Sequence, residues 1–276
     1  MTAGDLITAP YQAELAGVLM GAGTNYPFDK SKPLTGLGLP SVRDSDVARP
    51  QAHGVFVGPD WMDGKPLTFA LKVLGDDGPT TETRIQALAA AFKATDGYGT
   101  VPLVLRLAGA QKYLINGRPR RFAVDPRYMP EHVAEVVAQF LATDPRFYDN
   151  TPSNGSTGPG ATTGGFDVGG FTFPFGFGSS APGSISALNA GNITTYAVAT
   201  VTAGAGGMTG FTLAKAETGE SFTVVLTMNP GDFVVVDFLA RTILLNGTAS
   251  RIGNVSRPTS TWWALDPGVT TVTFTE

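Results

Sequence analysis

Thr242-Ile243-Leu244-Leu245-Asn246-Gly247 reads as a β-strand running straight into a hairpin turn, and it decides the fold of the second half of the chain. Asn-Gly carries this weight because both residues tolerate the positive φ of a tight hairpin turn. Upstream, Phe222 to Met228 and Phe233 to Phe238 are apolar-rich runs on either side of Asn229-Pro230-Gly231-Asp232, a turn sequence. Downstream, Trp262-Trp263-Ala264-Leu265 leads into the turn Asp266-Pro267-Gly268, and Val269 to Thr275 forms a closing strand. Short strands at this spacing specify a β-sandwich. Gly204-Ala205-Gly206-Gly207 sits between β-like stretches and misses the register of a nucleotide-binding glycine loop, so it reads as a turn.

Working outward, residues 151–165 are rich in Gly, Ser, Thr and Pro and read as a connector. Phe166, Phe171, Phe173, Phe175 and Phe177 follow, with partial alternation between glycines. They read either as an edge strand stapling the connector to the second domain or as a contact for a neighbouring subunit. The division expected is 1–149, a connector over 150–182, and 183–276.

The first half also reads as mostly strand. Glu14 to Met20 alternates loosely, Gly54-Val55-Phe56-Val57 is a short extended run, and Leu67, Phe69, Leu71 and Val73 share one face of a strand. Asp76-Asp77-Gly78-Pro79 is a turn. From Thr81 to about Ala94 the spacing of Ile85, Leu88, Ala89 and Phe92 gives one apolar stripe of a helix, capped by Thr80 or Thr81 and ended by Asp96-Gly97. Val101 to Leu107 and Lys112 to Ile115 form a hairpin around Gly109. Residues 133–142 fit a helix through Val133, Val136, Val137, Phe140 and Leu141, and fit a strand through Val136, Ala138, Phe140 and Ala142.

Composition narrows the function classes. With 35 Gly, 20 Pro and 42% hydrophobic residues in 276, many short strands around a sizeable core are favoured over long helices. The net charge of −4 gives no footprint for nucleic acid; Arg118, Arg120 and Arg121 are the one basic knot, read as a solvated or subunit-facing patch. Residues 150–276 carry 4 basic and 7 acidic groups against 15 and 16 in residues 1–149, a low surface charge suited to a surface covered by partners. There is no Cys, and His53 and His132 are the only histidines, so disulfides, thiolate metal sites and ordinary zinc sites are not expected. No signal sequence or 18-residue apolar run is read, and assembly in a cytoplasm is expected.

No catalytic constellation stands out, so no enzyme activity, no cofactor and no metal are expected. Nucleophile-elbow, phosphate-loop and zinc-protease patterns are missing. A glycosidase would need two carboxyls facing one sugar, and Asp60 and Asp63 around Trp61, like adjacent Asp76 and Asp77, read as turn formers. Trp262 and Trp263 are the sharpest aromatic feature and the candidate glycan or interface contacts. The alternative puts one indole in the sandwich core and its neighbour on the opposite face, since consecutive strand residues point opposite ways.

The segment Phe140-Leu141-Ala142-Thr143-Asp144-Pro145-Arg146-Phe147-Tyr148 resembles the Asp-Pro-Arg-x-Tyr junction that ends the N-terminal belt domain in siphophage distal tail proteins. Arg241 to Gly247, Ser260 to Gly268 and Val272-Thr273-Phe274 are similar to the closing strands of that family's C-terminal galectin-like sandwich. Gly191-Asn192, Thr194-Thr195-Tyr196, Thr218-Gly219 and Pro230-Gly231-Asp232 fall in the expected order. The resemblance implies a mainly β fold, with an N-terminal β-sandwich or belt domain bearing one α-helix and a C-terminal galectin-like β-sandwich. It favours strand over 133–142. It implies a non-enzymatic virion protein at the tail tip: a homo-hexameric ring joining tail tube, tape measure and the hub or baseplate, with no nucleic-acid binding and no membrane segment. The rival expectation is a carbohydrate-binding tail protein that contacts host glycans through its C-terminal domain.

Overall fold

Strand periodicity dominates the computed structural model, which describes residues 2–31, 34–158, 167–168, 171–172 and 183–276. The chain divides into two units, Met1–Pro152 and Ser153–Glu276. Phe166, Phe173, Phe175 and Phe177, with most of the expected connector, lie outside the described residues.

In chain order the first unit contains β1 (Gln12–Leu15), β2 (Val18–Gly21), β3 (Leu34–Thr35), β4 (Val42–Arg43), β5 (Val47–Ala48), β6 (Val55–Phe56), β7 (Trp61–Met62) and β8 (Lys65–Leu74). Helix α1 (Gly78–Ala91), β9 (Val101–Arg106), β10 (Lys112–Asp125), β11 (Val133–Ala142) and β12 (Tyr148–Asp149) complete it. Seven of these strands pair in the order β2-β1-β9-β10-β11-β8-β3, and β12 joins beside β10. Period-two alternation explains the core face. Leu67, Phe69, Leu71 and Val73 of β8 and Ala134, Val136, Ala138, Phe140 and Ala142 of β11 are at most 1% exposed, so residues 133–142 form a strand and not a helix. Helix α1 covers this face through Leu88, Ala91 and Phe92, with the Phe92 ring set edge-on to Phe69 at 5.9 Å.

Two elements differ from the sequence reading. The loosely alternating run from Glu14 to Met20 is a hairpin, because Ala16 and Gly17 turn the chain with φ of 49° and 79°. The helix starts earlier than expected, and neither Thr80 nor Thr81 caps it. The Asp77 carboxylate does so by accepting from the Thr80 N–H at 2.7 Å, which satisfies one of the helix's free first-turn donors. Pro79 fits the first turn, where its missing N–H costs nothing. Thr81 is instead buried, donating its hydroxyl to the carbonyls of Asp77 and His132 at 2.7 and 3.2 Å.

The N-terminal segment, residues 2–9, is held by side chains. The buried Glu14 carboxylate accepts from the N–H groups of Gly4 and Leu6 at 3.1 and 2.9 Å, and Gln12 accepts from Thr8 and Ala9 at 2.9 Å each. Buried backbone donors need such partners where no strand supplies them.

The second unit contains β13 (Asp167–Val168), β14 (Phe171–Thr172), β15 (Gly183–Asn189), β16 (Val198–Thr202), β17 (Phe211–Lys215), β18 (Ser221–Val224), β19 (Phe233–Asp237), β20 (Thr242–Leu245), β21 (Ala249–Ser250) and β22 (Gly268–Thr275). β13 pairs with β14. Two four-stranded sheets, β15-β22-β17-β18 and β16-β19-β20-β21, supply the inward-facing apolar residues of one core. Phe211, Leu213, Phe222 and Val224 come from the first sheet and Val201, Val234, Val236 and Ile243 from the second, the alternation a sandwich requires. The expected Asn246-Gly247 turn is present, with φ of 52° and 74°.

Candidate assembly surface

Between β3 and β8 the chain leaves the first unit's sheet as one long hairpin arm. At its base β4 pairs with β7, Val42 opposite Met62; farther out β5 pairs with β6, Val47 opposite Phe56. Local hydrogen bonds hold it: Asp63 N–H to the Ser41 carbonyl at 2.9 Å, Gly58 N–H to the Asp46 carboxylate at 2.8 Å, and Arg49 N–H to the Gly54 carbonyl at 3.2 Å. The Arg49 guanidinium lies 5.1 Å from the Phe56 ring centre. At residue 58 only glycine fits, since a β-carbon on Gly58 would stand 2.4 Å from the Ser45 carbonyl oxygen of the facing limb.

The arm has no core. Every residue from Ser41 to Val57 is exposed, and Leu39, Val42, Val47, Val55, Phe56, Val57, Trp61 and Met62 are among the most exposed large apolar side chains of the chain, with Leu39 at 95% and Val57 at 86%. A two-stranded hairpin is marginal in water by itself, and so many exposed large apolar side chains on one hairpin point to an interaction site. Sequence reasoning identified Gly54 to Val57 as extended and Asp60 and Asp63 as turn formers, but missed the arm. A Val-Phe-Val run looks the same whether its side chains meet a core or solvent.

The Asp144–Tyr148 junction is a clasp at the end of the first unit. The Asp144 carboxylate accepts from the Tyr148 hydroxyl and from the Arg146 N–H at 3.1 Å. Phe147 packs on Tyr113, ring centres 6.1 Å apart, and carries the Lys65 ammonium 4.5 Å from its ring centre. Burial, together with the adjacent Asp144 carboxylate, pushes the Tyr148 phenol up to about 12. A raised phenol retains its proton in the folded chain after the unfolded chain has lost it. This contribution is therefore complete below about pH 10 and disappears as the pH climbs to about 12. Urea titrations at stepped pH should show the first unit losing stability over that window, and Tyr148→Phe should flatten the slope there.

The structure places Trp263 inside the second unit's core, 2% exposed, with its ring 4.2 Å from Phe238 and its Nε1 without a hydrogen-bond partner among the described residues. Trp262 is half-buried, 4.4 Å from Phe222 and 5.7 Å from Phe238. The expectation of opposite faces fails here, because residues 261–264 are not in a strand and both indoles pack on the same Phe238. Trp263 has no open face on which a sugar could stack.

Asp76 bonds Arg84 at 3.1 Å and Asp77 caps the helix, so both adjacent acids have local partners. Arg118 donates to the carbonyls of Gly97 and Gly99 at 2.7 and 2.8 Å; Arg120 and Arg121 are exposed and make no ion pair among the described residues. No cluster of metal-binding side chains occurs among the described residues, and no helix among them is long and apolar enough to cross a membrane.

Residues 190–276 match the family model of the siphovirus-type tail component, C-terminal domain. Comparison with curated proteins finds no match. Among solved structures, the fold is similar to the Dit protein of phage SPP1, described as a paradigm of the hub adsorption apparatus in phages that infect Gram-positive hosts. The TM-score is 0.61 at 14% identity, over 96% of this chain and 94% of that one. It is also similar to a chain of the phage p2 baseplate in its activated conformation, solved with strontium and with calcium. There the TM-score is 0.55 at 9% identity, over 96% of this chain and 98% of that one.

Proposed function

We propose that this chain, whose residues 190–276 match a siphovirus-type tail component model and whose fold is similar to that of the SPP1 Dit protein, is a structural subunit of a phage tail tip. Six copies close into a ring that continues the tail tube, surrounds the tape measure and seats the hub or baseplate proteins. The role is scaffolding, with no reaction centre.

The observation that carries the reading is the coreless arm. Ordering a residue costs roughly 1–2 kcal/mol of backbone entropy, and residues 41–57 recover none of it by burial in their own chain. A second chain laid over Val42, Phe56, Trp61 and Met62 would supply that burial. Laid on a different surface of the next copy, the arm makes a head-to-tail contact, and head-to-tail contacts that close after a fixed rotation form rings.

The test is the mass and symmetry of the purified full-length chain, by native mass spectrometry and negative-stain averaging. Six-subunit particles with an axial hole are expected. A protein that stays monomeric at the highest attainable concentration would rule the ring out.

A further inference from the structure

Resting on the ring reading, we propose that the arm of one copy docks on the basic bulge of β10 in the next, with its aspartates set against Arg120 and Arg121. The ring is thus locked by charge as well as by apolar burial.

The bulge is built by the sequence. β10 pairs with β11 in register from Gly117 to Pro119, Pro119 opposite Phe140, and again from Arg121, opposite Gln139; Arg120 is the extra residue between them. Such an insertion twists a strand and redirects its side chains. Arg118 donates to the turn at Gly97 and Gly99, where Tyr98 is fully exposed. Two residues beyond Gln139 on the same face of β11, Val137 is 42% exposed. The bulge thus offers two guanidiniums without an ion-pair partner among the described residues, with an exposed aliphatic side chain on the neighbouring strand.

The arm is its complement in both respects. Residues 38–63 contain Asp44, Asp46, Asp60 and Asp63 against Arg43 and Arg49, a net charge of −2. Asp60 directly precedes Trp61, which is 57% exposed. Asp44 and Asp60 make no hydrogen bond or ion pair among the described residues, whereas Asp46 and Asp63 are engaged within the arm. An acidic apolar hairpin and a basic apolar bulge are two different, complementary surfaces of one unit. They fit a contact repeated from copy to copy in one direction.

Charge reversal in the full-length chain tests this. Arg120→Asp with Arg121→Asp should weaken assembly roughly 100-fold, two close charge pairs at about tenfold each. Asp44→Arg with Asp60→Arg should do the same. Both variants should keep the wild-type melting temperature, which separates lost docking from misfolding. The four substitutions combined in one chain should restore the ring, as should an equal mixture of the two double variants, in which arms and bulges of opposite sign alternate. If the wild type forms rings and the Arg120/Arg121 variant forms them equally well, the docking is wrong and the ring reading stands. The docking is also wrong if the fourfold variant remains dispersed while both double variants do. A wild type that never assembles overturns both.

Discussion

Trp263→Ala is expected to destabilise the second unit by roughly 3–5 kcal/mol, the range for removing a buried aromatic side chain. The indole is 2% exposed and lies 4.2 Å from Phe238, which is itself fully buried and 5.2 Å from Phe222. Removing it opens a cavity that the two sheets, tied by their ladders, close only in part. Set against a typical domain stability of about 5–15 kcal/mol, this is enough to leave a marginal unit partly unfolded at 37 °C. Trp263→Phe should cost less than about 2 kcal/mol, since it retains the ring contact and deletes a buried donor that has no partner among the described residues. Trp262→Ala should fall between, because that ring is half-buried against Phe222 and Phe238. Calorimetry of the full-length chain checks the order; equal effects of Trp262→Ala and Trp263→Ala would contradict it. The same result bears on glycan binding. A binding loss in Trp263→Ala would report unfolding, so only the Trp262 variant, assayed at a temperature where it is still folded, could implicate an indole in sugar contact.

What the sequence made legible follows from which signals are local. The Asn246-Gly247 turn and the alternation of Leu67 to Val73 depend on backbone sterics and on a strongly patterned face, and both appear where the residues put them. The stretch 133–142 fitted two periods at once, and only pairing with β8 and β10 makes it a strand. The Ala16-Gly17 turn was missed because Ala at positive φ is a tertiary outcome, not a propensity. The two tryptophans were misplaced relative to each other because the rule of opposite faces holds only inside a strand. The arm was least legible. Its valines and Phe56 have ordinary strand chemistry, and their exposure is a property of the missing neighbour, which one chain's sequence does not contain.

Removing the arm is expected to abolish assembly while leaving the fold intact, and this separation is the strongest consequence of the arm having no core. The Asp63 N–H already meets the Ser41 carbonyl at 2.9 Å, the spacing of the residues that flank a two-residue hairpin turn, so Asn-Gly can replace residues 42–62 without straining either limb. None of the residues deleted is buried: the core of the first unit begins again at Lys65 and Leu67, after the arm has returned. The melting temperature of the first unit should therefore stay within a few degrees of wild type, or rise, since seven exposed large apolar side chains leave solvent. Association should fall below detection by native mass spectrometry at concentrations where the wild type is fully assembled. Arm loss removes the whole apolar contact in addition to its charges, so the effect should exceed that of reversing Arg120 and Arg121. A shortened chain that still closes into six-subunit rings would place the subunit interface elsewhere on the sheet. One that melts far below wild type would mean the arm is held by its own unit after all.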